Sequence, residues 1–187
     1  MMHLLLGLWL ALAVAWAGRA PPPAEPVVPA GFVPMTVVGL VPTDPGPVVL
    51  LTDATGQTVV PVWIGEAEAI TIALRLNRRR FERPLTHDLL ATVLEQTGAK
   101  VSGVRIDGLI DGTFVATAWF VQGDKRFKVD VRSSDAIALA LGHDLPLLVA
   151  DSVVTGAGVS REDLEKQAPQ TPPEEGGGTE DKGGVSL

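Results

Sequence analysis

Side chains that could carry chemistry gather in two short stretches of the sequence, each of which leads from charged residues into a predicted helix. The first stretch, Arg83–Leu90, contains a threonine, an aspartate and one of only three histidines in the chain. The second stretch, Asp130–Ala140, places a charged strand end, two serines and an aspartate ahead of apolar residues. Since free backbone N–H groups add to polar side chains at a helix start, a functional site is expected at these two places.

His87 has the widest chemical range of the residues in the first stretch. An imidazole takes up and releases a proton near neutral pH, so His87 is a candidate general base, proton carrier or metal ligand. A histidine in a first helical turn can equally be structural, and the sequence leaves both interpretations open.

The acidic residues of both stretches also have two interpretations. Asp88 and Asp135 fall in first helical turns, where the helix dipole favours a carboxylate whether or not it does chemistry. Asp130 and Arg132 share one face of a predicted strand, at a separation of roughly 7 Å. Arg132 is therefore a candidate for neutralising a phosphate or for pairing with Asp130.

Other charged groups give weaker signals. Arg78–Arg80, together with Arg83, forms the only basic cluster that the sequence suggests, and a phosphate-rich substrate or a solvated loop would explain it about equally well. Glu66 and Glu68 lie two residues apart on a predicted helix and point about 200° apart, so at most one lines a site. The sequence contains no Walker loop, dinucleotide fingerprint, HExxH or GxSxG motif, which leaves several common enzyme classes without support.

The elements that must position these residues alternate between strands and helices. Apolar alternation and turn residues predict strands over residues 33–41, 48–51, 58–64, 101–110, 113–121, 126–132 and 147–149. Helices are predicted over residues 66–76, from a cap at Thr86 to Gly98, and from a cap at Ser133 or Ser134 to about Gly142. This order predicts an α+β fold, with an antiparallel or mixed sheet of hairpins and three interleaved helices in a single domain.

The two ends of the chain differ from its centre. Residues 1–17 resemble a signal peptide, with a short apolar run that ends in Ala15-Trp16-Ala17. Residues 18–31 form a proline-rich linker, residues 32–155 the folded domain, and residues 156–187 an acidic Gly/Pro-rich tail that is expected to be disordered. We therefore expect export to the periplasm or the medium and no membrane span after processing, with an uncleaved membrane anchor as the alternative.

The amino-acid composition excludes some kinds of site and makes others less favourable. The chain has no cysteine, which excludes disulfides, thiolate metal sites and a cysteine nucleophile. Its formal net charge is -7, so a broad basic field for nucleic acid is absent and any attraction for phosphate must be local. Tyrosine is absent and the four tryptophans are scattered, which is unfavourable for a base-stacking surface.

Over about residues 35–154 the sequence resembles the bifunctional nuclease domain family. The resemblance rests on Pro61-Val62-Trp63-Ile64-Gly65, Glu68-Ala69, Ile72-Ala73, Arg83-Pro84-Leu85-Thr86-His87-Asp88-Leu89-Leu90 and Asp130-Val131-Arg132-Ser133-Ser134-Asp135-Ala136-Ile137-Ala138-Leu139-Ala140. The family usually has a proline at the position of Ser133, and losing it relaxes the start of the last predicted helix. An export signal is a second departure from the family pattern.

The resemblance implies degradation of DNA and RNA, an α+β fold and a homo-oligomer. It implies catalytic roles for His87, Asp88, Asp130 and Asp135, substrate binding by Arg83, Arg132, Ser134 and Thr86, and Mg²⁺ or another divalent cation held by Glu68, Asp130 and Asp135. The alternative is a non-catalytic exported binding or assembly module, in which the same acids and hydroxyls are helix caps and Asp130 pairs with Arg132. Carboxylates that converge on one cleft would favour the nuclease, whereas carboxylates tied each to its own helix would favour the module.

Overall fold

Strands of β-branched and apolar residues form one sheet, which a computed structural model describes over residues 28–167. The strands are β1 (Phe32–Val41), β2 (Val48–Thr52), β3 (Thr58–Trp63), β4 (Ala99–Ile110), β5 (Thr113–Gln122), β6 (Lys125–Arg132), β7 (Leu147–Ala150) and β8 (Val159–Ser160). The helices are α1 (Glu66–Leu76), α2 (Thr86–Gln96), α3 (Ser133–Gly142), α4 (Asp151–Ala157) and α5 (Arg161–Gln167).

The strand order across the sheet is β6-β5-β4-β7-β1-β2-β3-β8. Neighbouring strands are antiparallel except β4 and β7, which run parallel. The predicted α+β fold with a mixed sheet is therefore confirmed. The three predicted helices are present as α1, α2 and α3, and the described residues add the two short helices α4 and α5.

Apolar residues from alternate strand positions face the helices on one side of this sheet. The core joins Leu51 and Ile106 of the sheet to Ile72 of α1 and Ile137 of α3, all of them fully buried. Burying a side chain of this size contributes about 1.5–3 kcal/mol, so α1 and α3 are fixed firmly on the sheet.

Strand register assigns the remaining residues to the two faces. Thr117 of β5 lies opposite Asp130 of β6 and also opposite Arg105 of β4, so these three residues share one face. Val129 and its partner Ala118 belong to the other face, which the helices cover. Because neighbouring strand residues point to opposite faces, Asp130 faces away from the helices.

The end of the fold lies further along the chain than predicted. Residues Val159–Ser160 pair with the start of β3, and α5 follows directly. The prediction that a disordered tail begins at residue 156 is therefore wrong for residues 156–167. The proposed signal peptide, most of the linker and residues 168–187 lie outside the described residues. Between residues 28 and 167, no helix has the length and apolar character that a membrane crossing requires.

Candidate active site

The two sequence stretches meet through one side-chain contact. His87, in the first turn of α2, lies with its Nε2 3.2 Å from Oδ1 of Asp135, in the first turn of α3. His87 is 8% exposed, so its ring is held within the protein instead of moving freely in solvent. This contact brings together two of the residues predicted to be catalytic.

Arg132 extends the contact into a row of charged groups. Its Nε lies 3.2 Å from Oδ2 of Asp135, and its Nη2 donates to Oδ1 of Asp135 at 3.2 Å and to Oε1 of Glu68. We call the row formed by Glu68, Arg132, Asp135 and His87 the charged row. The Glu68 side chain is mostly buried, whereas 66% of the Arg132 side chain is exposed, so the row opens to solvent at the guanidinium.

The charged row keeps Asp135 ionised. The hydrogen bond with His87, helped by the hydrogen bonds and charge of Arg132, lowers the pKa of the Asp135 carboxyl to about 2, although partial burial acts in the opposite direction. The hydrogen bonds of Asp135 and then of Glu68 raise the pKa of Arg132 above its already high ordinary value. At neutral pH the row therefore holds a fixed carboxylate beside the imidazole and a fixed cation at its open end.

Helix capping explains why each aspartate lies where it does. Asp88 accepts the Leu85 N–H at 3.1 Å, and Asp135 accepts the Arg132 N–H at 3.3 Å, so each closes the first turn of its own helix. The N-cap residues are Leu85 and Arg132, so the caps predicted at Thr86 and at the serines are wrong. The N-cap of α2 lies one residue earlier than predicted and that of α3 one or two residues earlier, because Asp88 and Asp135 supply the capping acceptors.

The serines and Thr86 occupy other positions. Ser133 and Ser134 are buried in α3, which leaves Ser134 poorly placed for the predicted contact with substrate. Thr86 is exposed and lies beside His87 on a cavity.

This cavity of about 630 Å³ lies next to the charged row and is largely apolar. We call it the apolar groove; its walls include Ile70 and Leu90 from the helices, and Phe120, Phe127, Val129 and Val131 from the sheet. The rings of Phe120 and Phe127 stack with centroids 5.4 Å apart. Phe127, Val129 and Val131 alternate along β6 and so share one face, and the sequence does not indicate that the helices leave part of this face open.

Comparison with known families assigns the folded part of the chain to one of them. The bifunctional nuclease domain matches residues 49–162, which include every member of the charged row. The chain belongs to the bifunctional nuclease domain family. Within this nuclease domain, the resemblance seen in the sequence is confirmed.

Two uncharacterized proteins of Mycobacterium tuberculosis are also similar to the chain, one from strain CDC 1551 / Oshkosh and one from strain ATCC 25618 / H37Rv. Each is 41% identical over 113 residues, which is 60% of this chain and 67% of the relative. Their names give no activity, so the family assignment rests on the domain match.

Three of the predicted site residues of the nuclease domain lie away from the charged row. Asp130 faces the opposite side of the sheet, and Arg132 pairs with Glu68 and Asp135, so the predicted Asp130–Arg132 pair is wrong. Asp88 binds Nη2 of Arg75 at 3.3 Å, on the far side of α2. Arg83 is exposed and does not line the apolar groove.

The predicted metal ligands do not fit a shared divalent cation. Asp130 is separated from Glu68 and Asp135 by the sheet, and the Arg132 guanidinium already lies between those two carboxylates. Across residues 28–167, no three or more acids or histidines are grouped in a way that could hold a metal ion. The chemistry of the row is therefore considered through its own side chains.

A second cavity lies on the other side of α2 and is more polar. It is lined by Arg78–Arg80 of the predicted basic loop, together with Arg75, Asp88 and His143. Burial, and then the nearby charge of Arg75, lower the pKa of His143. The basic loop is thus part of a separate cavity and does not reach the charged row.

Proposed function

We propose that the protein is a nuclease that hydrolyses phosphodiester bonds of DNA or RNA. The observation that supports this most directly is a buried His87 held by an ionised Asp135 beside an exposed Arg132. Hydrolysis of a phosphodiester calls for a proton carrier, a carboxylate that orients it and a cation for the phosphate, and these three side chains next to one cavity could fill those roles. Membership of the nuclease family agrees with it.

Each group has a role in this reaction. If Nε2–H of His87 donates a hydrogen bond to the Asp135 carboxylate, which stays ionised, Nδ1 is left to take a proton from an attacking water. The water oxygen forms a bond to phosphorus, and the bond from phosphorus to the leaving oxygen breaks. The leaving oxygen takes a proton from solvent, and His87 releases its proton to solvent before the next turnover. Arg132 has an Nη1 group without a hydrogen bond to the described residues, so it can bind the phosphate and stabilise the charge that develops on it.

A non-catalytic binding module is the second candidate, because two observations favour it. Asp88 and Asp135 each cap their own helix, as expected of structural acids. The cavity beside the row is also mostly apolar, as in many binding sites. Asp135, however, binds His87 and Arg132 in addition to its own helix, and capping alone does not require those contacts.

The deciding experiment measures cleavage of labelled single-stranded DNA and RNA by the full-length protein. His87→Ala and Asp135→Asn test the charged row, and Asp130→Asn is the matched acidic control on the other face of the sheet. Reactions run with Mg²⁺, with Mn²⁺ and with chelator, so that dependence on a divalent cation is measured independently of the geometry. Cleavage that is lost in the first two variants and kept in the control supports the proposal.

Two other results would contradict it. Cleavage that is equal in all variants would mean that the row is not the active site. A folded protein without cleavage of either substrate under any metal condition would favour the binding module.

Export and self-assembly complete the proposal. We propose that residues 1–17 are removed during export, and that the mature protein forms a homo-oligomer as the family resemblance implies. The mass of the protein recovered from the producing cells tests the first point, and light scattering on the purified protein tests the second.

A further inference from the structure

Strand β6 is the most basic strand of an otherwise acidic protein. It carries Lys125, Arg126, Lys128 and Arg132 against the single acid Asp130, which gives it a charge of +3 in a chain of net charge -7. All five of these residues are exposed. The first three basic residues form no salt bridge to the described residues, so their charge is available to a ligand.

The other side of β6 is unusually apolar for an exposed strand. Phe127 is 45% exposed and Val129 is 42% exposed, and both line the apolar groove. Across the groove, Ile70 of α1 and Leu90 of α2 are also exposed. One ring face of Phe127 stacks on Phe120. The other ring face is not covered by the core and is open to the groove.

The basic residues of β6 and the apolar groove both run along the same edge of the sheet. Lys125 shares the face of Phe127 and Val129, whereas Arg126 and Lys128 share the opposite face with Asp130. Because β6 is an edge strand, a ligand that lies along this edge can contact the groove on one side and Arg126 and Lys128 on the other. Eight extended residues span about 26 Å, enough for several nucleotides. The strand ends at Arg132, which is the exposed member of the charged row.

We propose that β6 and the apolar groove bind a single, unpaired strand of nucleic acid. Its bases pack against Phe127 and Val129, and its phosphates follow Lys125, Arg126 and Lys128 toward Arg132. A basic track with an aromatic surface is the combination that binds single strands without reading their sequence. A duplex does not fit, because its bases are stacked on each other and cannot enter the groove. This inference rests on the proposed nuclease function and specifies its substrate.

Protection of the sheet edge is the competing explanation for the charges. Lysines on an edge strand discourage pairing with other chains, whatever the protein binds. That explanation accounts for the basic residues but not for the exposed Phe127 and Val129 beside them. Charge reversal distinguishes edge protection from nucleic-acid binding. Glutamates, like lysines, discourage pairing of an edge strand, but they repel phosphate.

The test measures binding of the full-length protein to a fluorescent oligothymidylate by anisotropy, in chelator and over a range of salt concentrations. The same oligonucleotide paired with its complement is the duplex probe. In the combined variant Lys125→Glu, Arg126→Glu and Lys128→Glu, the slope of log affinity against log salt should fall by about 2, at about 0.7 for each lost contact. Lys166→Glu, on α5, is a single-charge control away from β6.

Aromatic variants test the groove itself. Phe127→Ala should weaken single-strand binding about 5- to 150-fold, which corresponds to one lost base stack. Phe127→Leu keeps an apolar contact with Phe120 and protects the fold, but it should also weaken binding because it has no ring to stack on. Trp63→Ala removes an aromatic residue that is 57% exposed on β3, outside the groove, and should leave binding unchanged.

The outcomes distinguish this inference from the nuclease proposal. Preferred binding of the single strand, lost in the β6 variants and kept in both controls, supports the inference. If the wild type cleaves and the β6 variants bind as tightly as the wild type, the inference that β6 and the groove bind the single strand is wrong, and the nuclease proposal is unaffected. Equal or tighter binding of the duplex would also overturn it. No binding and no cleavage would overturn both.

Discussion

Replacing Asp135 with asparagine should destabilise the protein at neutral pH and have little effect in strong acid. The pKa of Asp135 is about 2 in the folded protein, against an ordinary value of 3.8. Because the pKa of Asp135 is lower in the folded protein than in the unfolded chain, the ionised carboxylate contributes stability above a pH of about 4. That contribution is lost as the pH falls toward about 2.

The size of the effect follows from this difference and from exposure. A shift from 3.8 to about 2 corresponds to about 2.5 kcal/mol for a carboxylate that is shielded from solvent. A quarter of the Asp135 side chain and 66% of the Arg132 side chain are exposed, so solvent screening reduces the contribution. We expect the variant to lose on the order of 1 kcal/mol of unfolding free energy at neutral pH.

Urea unfolding followed by circular dichroism, at pH values of about 7 and about 2, measures this difference. Asp130→Asn is the matched control: its carboxylate is exposed and lies on the other face of the sheet, so its substitution should change stability little at either pH. The reasoning fails if Asp135→Asn costs the same at both pH values, or if the two variants behave alike at neutral pH.

Three further substitutions, with a glycine control for one of them, test other contacts. Arg132→Lys should lower cleavage about tenfold with the fold retained, since one ammonium group cannot reproduce the hydrogen bonds to two carboxylates; steady-state rates beside a thermal melt check this. Gly142→Ala places a Cβ against the Arg75 guanidinium, which must shift and give up its hydrogen bond to the Ala138 carbonyl, and should cost about 1 kcal/mol in urea unfolding. Gly103→Ala has open space and should cost little by the same measurement. Ile72→Ala removes a fully buried side chain and should cost about 2–5 kcal/mol, and a cost well below this range would contradict the packing of α1.

Local elements were largely predictable from the sequence because their signals are local. The apolar stripe after Gly65 predicts α1 with its observed bounds. The Asp111-Gly112 pair predicts the turn between β4 and β5, and both residues have the positive φ angles that such a turn requires. The short elements α4 and β8 were missed because their residues lack a long periodic pattern.

The site itself was only partly predictable. His87 and Asp135 are both named by the sequence, but 48 residues separate them, and no local pattern indicates that they touch. The prediction that Asp130 joins Asp135 in one site was wrong. The side chain of Asp130 on strand β6 points to the far face of the sheet, whereas that of Asp135 in the first turn of α3 points to the charged row. The basic character of β6 was also missed, since its lysines and arginines alternate with apolar residues and do not form a run.

The weak attachment of α2 to the fold determines how the proposed nuclease activity would be lost on heating. His87 is the only residue of α2 that is buried, and Leu89 and Val93 lie exposed on its surface. Few apolar contacts hold such a helix, so it belongs to the segments that open locally at a lower free energy than the whole fold. Local opening of α2 would separate His87 from Asp135 while the sheet and α3 stay intact. Amide exchange should then be faster in α2 than in α3, and mild heating should remove activity before the global unfolding transition.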